Sequence, residues 1–132
     1  MSQACVLSAL LYGSETWTVK APHLRRLASF HNQCLRRILG VSRSQQWQER
    51  LTTTELAERF GIPQPMETII RQRRLQWLGH LGRMSPSRLP KKVLFGEGIA
   101  TRPRHGPKRR WRDLVAADLD LQGISGDEWM EL

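Results

Sequence analysis

Residues 22–40 read PHLRRLASFHNQCLRRILG, and the spacing within them sets the fold class. Leu24, Leu27, Ala28, His31, Leu35 and Ile38 recur every three or four residues, the period of one face of an α-helix. Pro22 suits an early helical position and Gly40 a C-terminal stop. The pairs Arg25-Arg26 and Arg36-Arg37 lie mostly off the apolar stripe. The pattern predicts a helix over about 22–39.

Toward the N-terminus, residues 3–12 are apolar nearly all round and end at Gly13. So short a run fits a buried strand or a buried helix, and periodicity alone does not separate them. Ala and Leu outnumber Val6, the one β-branched residue, which favours helix. Toward the C-terminus, Ser42–Arg50 reads as a polar linker. Thr52 with Glu55 three residues on makes a capping box for a short helix that Gly61 ends. Beyond Pro63 and Pro65, an apolar stripe of Met66, Ile69, Ile70, Arg73, Trp77, Leu78 and Leu81 predicts a helix over about 65–83. Arg71, Arg74 and Arg83 fall beside that stripe. Four prolines and three glycines between 84 and 108 predict irregular chain, with Val93-Leu94-Phe95 able to form at most a short strand or helical turn. A last helix over about 108–121 carries Trp111, Leu114, Val115 and Leu119. Ser125 and Glu128 form a second capping box. The expectation is an all-α chain in three parts: a helical bundle at 1–83, a basic Pro/Gly-rich arm at 84–108, and a C-terminal helix at 109–132.

The formal charge is +9, unevenly spread. Residues 1–70 hold eight Lys/Arg and five acids; residues 71–112 hold thirteen Lys/Arg against Glu97 alone; residues 113–132 hold six acids and no cation. A basic segment of this density points to an anionic partner. Cys5 and Cys34 give no disulfide framework and no zinc knuckle, and they suit free thiols in a reducing compartment. The first apolar run is too short to span a bilayer and lacks the basic flank of a secretion signal. An intracellular protein, nuclear or cytoplasmic and without a membrane partner, is expected.

Two-metal polymerase or nuclease chemistry needs carboxylates that converge on metal ions. Up to residue 112 the acids are Glu15, Glu49, Glu55, Glu58, Glu67 and Glu97, with no metal-site spacing among them. Asp113, Asp118 and Asp120 on the last helix read as a solvated acidic face. His31 and Cys34 share a helix face, but no second pair completes a metal site, and a buried core pair is the plainer reading. No serine lies in a nucleophile elbow, and Gly106–Arg110 lacks the Walker spacing. No catalytic residue, metal or cofactor is expected. Binding residues are easier to name: Arg71, Arg74 and Arg83 on one helix, and Arg102, Arg104, Lys108, Arg109, Arg110 and Arg112 in and after the arm. Their forks and ammonium groups suit phosphates. Trp77 reads first as core, with stacking on an unpaired base as its functional alternative.

The same residues carry a family resemblance. The blocks at 11–17 (LYGSETW), 31–41 (HNQCLRRILGV), 73–84 (RRLQWLGHLGRM), 88–97 (RLPKKVLFGE) and 106–113 (GPKRRWRD) resemble, in order, the region after the palm in reverse transcriptases of non-LTR, LINE-type retrotransposons. The resemblance covers nearly the whole chain. It implies a thumb-like bundle that holds template and primer, followed by a basic linker, within a parent that performs RNA-directed DNA synthesis, often with an endonuclease. The palm aspartates and the zinc knuckle of some members have no counterpart here. The implied partners are RNA or an RNA–DNA hybrid, and a palm domain or a second copy against the apolar N-terminal helix. Leu10→Asp or Leu11→Asp is expected to reduce self-association. The alternative is a degenerate remnant, or a helical adaptor for another protein.

Overall fold

A computed structural model describes residues 2–61, 64–95, 105 and 110–124. Among these the chain is all-α: α1 (Ser2–Leu10), a 3-10 turn (Ser14–Thr16), α2 (Ala21–Ile38), α3 (Arg43–Gln48), α4 (Thr53–Arg59), α5 (Met66–Gly82), α6 (Leu89–Phe95) and α7 (Trp111–Asp120). The contacts group the chain into two compact units, residues 1–12 with 19–69, and residues 13–18 with 70–132. The first turn of α5 belongs to the first unit and the rest of that helix to the second.

In the first unit α2 packs on α4, and Leu35 and Leu56 are almost wholly buried. His31 is buried as the apolar spacing of α2 implied, and burial pushes its imidazole pKa down; Cys34 is half-buried. Leu11 is fully buried, so it is a core residue and no part of a sticky exterior. The neighbouring Tyr12 is the exposed one. Residues 42–50, expected as a linker, contain α3 instead. Ser42 opens it with a capping box: its hydroxyl accepts from the Gln45 N–H at 3.1 Å, and its own N–H donates to Gln45 Oε1 at 2.9 Å. Such a reciprocal pair offsets two of the orphan donors at a helix start. Thr52 and Glu55 do the same for α4.

Several helices end on a left-handed residue, and most of these residues are glycines. Gly40, Gly61 and Gly123 take the left-handed conformation after α2, α4 and α7. After α3 that position is Arg50, at φ 50°. The Arg50 N–H donates to Trp47 O at 3.2 Å and the Leu51 N–H to Gln46 O at 3.0 Å, the two bonds of a Schellman turn. A side chain there costs about 1 kcal/mol that glycine avoids.

The second unit is built on Leu78, Val115 and Leu119, with Leu75, Leu94 and Trp111 against them. The Trp111 indole donates to Glu15 O at 2.7 Å, which ties the 3-10 turn to the start of α7. Helix α6 occupies a segment expected to be irregular. Pro90 sits in its first turn, where a missing N–H costs nothing. Lys91 Nζ donates to Gly82 O at 2.6 Å, placing a cation on the carbonyl end of α5. The rest of the expected arm, residues 96–104 and 106–108, together with Arg109 and the Ser125–Glu128 box, lies outside the described residues.

Candidate nucleic-acid interface

The basic segment divides as α5 enters the second unit. Along α5 the buried positions are Met66, Ile70, Arg74, Leu78 and Leu81. The buried stripe therefore runs through Arg74, which the sequence reading had placed beside it, while Arg73 and Trp77 are half-buried. Arg74 can lie there because α7 supplies an anion. Its Nη1 donates to Asp118 Oδ2 at 2.8 Å, and Arg71 Nε reaches Asp118 Oδ1 at 3.3 Å. The Asp118 side chain is 11% exposed, Arg74 8% and Arg71 25%. One carboxylate thus holds two guanidinium groups and fastens α7 to α5. Arg74 is a structural cation and not a surface for phosphate.

Of the three aspartates expected to form one solvated face, Asp113 and Asp120 are exposed and Asp118 is not. Asp118 is buried in the pair just described. Asp113 accepts from the Arg110 N–H at 2.9 Å at the start of α7. Among the described residues no cluster of His, Cys, Asp and Glu is arranged to hold a metal ion.

What remains for solvent is a set of cations at the far end of α5 and along α6. Arg83, Arg88 and Lys92 are exposed, and none has an ion pair among the described residues. A Cβ on Gly79 would come within 3.4 Å of Arg83 Nη1, so the guanidinium lies back along the helix over that glycine. One turn earlier, Trp77 and His80 sit with ring centroids 5.2 Å apart at 37°. His80 is the exposed member and the indole the half-buried one. Arg110 and Arg112 are half-buried at the start of α7. Arg102, Arg104, Lys108 and Arg109 lie outside the described residues. Arg88 and Lys92, which the sequence reading did not single out, stand one turn apart where helix α6 replaces the expected loop.

No helix among the described residues is long and apolar enough to cross a membrane. No family model and no solved structure matches the chain. Over 83 residues, 63% of its length, it is 31% identical to a transposon-derived protein of Caenorhabditis elegans that is itself uncharacterized. The matched part makes up 29% of that protein, so this chain spans less than a third of the relative's length. The likeness supports a transposon-related origin.

Proposed function

We propose that this chain is a non-catalytic nucleic-acid-binding piece of a non-LTR retrotransposon reverse transcriptase, gripping RNA or a template–primer duplex through its phosphates. The observation that carries the reading is the segregation of charge. Residues 71–112 hold thirteen cations and one acid. The one buried acid that α7 contributes takes up Arg71 and Arg74, and Arg83, Arg88 and Lys92 stay exposed. Phosphate contact through such groups depends on position and charge and carries little sequence preference. The transposon-derived relative supports a transposon-related origin, and the five ordered sequence blocks carry the resemblance to that parentage.

The arm is tested by neutralising Arg109, Arg110 and Arg112 together to Gln and following fluorescence anisotropy of a labelled RNA–DNA hybrid across salt concentrations. Wild-type affinity is expected to fall steeply with salt, and the triple variant to show a shallower slope. Unchanged affinity and slope would remove the arm from the interface.

A further inference from the structure

We propose a second nucleic-acid site on the first unit, one that takes single strands by stacking an unpaired base on Trp47 between Arg43 and Arg50. It is built from other residues than the α5–α7 surface and does not rest on that reading. Trp47 on α3 is 84% exposed, although indole is among the costliest side chains to leave in water. It lines an open concavity of about 640 Å3 with Arg43, Gln46, Arg50 and Leu51, a size that suits a nucleotide. Arg43 and Gln46 also line the adjoining groove, where α2 contributes Arg25, Asn32 and Arg36. No acid lines either concavity, and none of these arginines has an ion pair among the described residues. Cations that track a backbone beside an exposed aromatic platform are what single-strand recognition requires. A duplex presents the same phosphates but keeps its base faces covered, so it has no use for the indole.

The backbone supplies an independent observation. Arg50 occupies a left-handed position that glycine fills at the ends of α2, α4 and α7. Strain retained at one helix end, where the residue also lines the concavity, fits a guanidinium held for a ligand. The Gln46 side chain braces the same turn, donating to Leu51 O at 3.1 Å.

The test measures binding of the full chain to a labelled single strand of about twelve thymidines and to a duplex of equal length. Trp47→Ala is expected to weaken single-strand binding roughly tenfold, since one stacked base contributes on that order. Trp47→Phe should recover most of the loss, and both variants should bind duplex as the wild type does. Arg50→Gly should lower single-strand affinity and reduce its salt slope by about 0.7, while melting no lower than wild type. Unchanged single-strand affinity in Trp47→Ala, the result expected if the indole docks a protein instead, overturns the proposal. So does an equal loss on the duplex, or a wild-type chain that does not bind the single strand. Any of these failures is separable from the α5–α7 interface, whose variants are read on the hybrid duplex.

Discussion

Asp118 shows how one residue decides what its neighbours can do. With Asp118 in place, two guanidinium groups can approach the interface between α5 and α7; without it, the buried Arg74 would lose the carboxylate to which its Nη1 donates. Removing one partner of such a pair costs far more than the pair contributes, because the survivor stays desolvated. Asp118→Ala is therefore expected to destabilise the chain by about 3 kcal/mol in urea unfolding. The double change Arg74→Met with Asp118→Leu should restore most of that loss, with Arg71 turning to solvent. A single variant that unfolds at the wild-type midpoint would contradict this placement. The pairing was partly legible in the sequence: residue 74 lies four from both Ile70 and Leu78, inside the buried period. The anion that permits it is forty-four residues away, and no local pattern reveals it.

At the scale of elements, the long helices and the capped α4 were readable, and α3 and α6 were not. The periods of α2 and α5 run for four turns or more, and each boundary falls within about two residues of its expected place. Helix α3 was missed because its six residues offer too little apolar period, yet Ser42 and Gln45 carry the same capping signature that identified α4. Helix α6 was missed because Pro90 and its neighbours read as breakers, although a proline in the first turn breaks nothing. The site on α3 was hidden with the helix, so Trp47 had no face to be assigned to. Capping also has a pH signature. The Thr52 backbone N–H and hydroxyl, at 2.7 Å and 2.9 Å from Glu55, hold its carboxyl below the usual glutamate range. A carboxyl pKa depressed by folding contributes stability above its unfolded value and loses it as pH falls through the folded one. Thermal melts from about pH 7 to about pH 3 should therefore show a shallower acid-side decline in Glu55→Gln than in wild type. An identical decline would mean that the box does not form.

For the whole molecule, the charge count overstates the cations available to a ligand. Thirteen Lys/Arg lie between 71 and 112, but Arg71 and Arg74 are engaged with Asp118, and Lys91 caps α5. The all-α class and the basic segment were legible from spacing and composition; which cations face solvent depends on the packing of α7. The most direct test of the phosphate-gripping reading replaces Arg83, Arg88 and Lys92 together with Gln and measures hybrid-duplex affinity against salt, alongside the melting temperature. Because these three side chains are exposed, melting should be unchanged, while the logarithmic salt slope should become shallower by about 2 to 3. A slope and affinity equal to wild type, or wild-type binding indifferent to salt, would contradict the account.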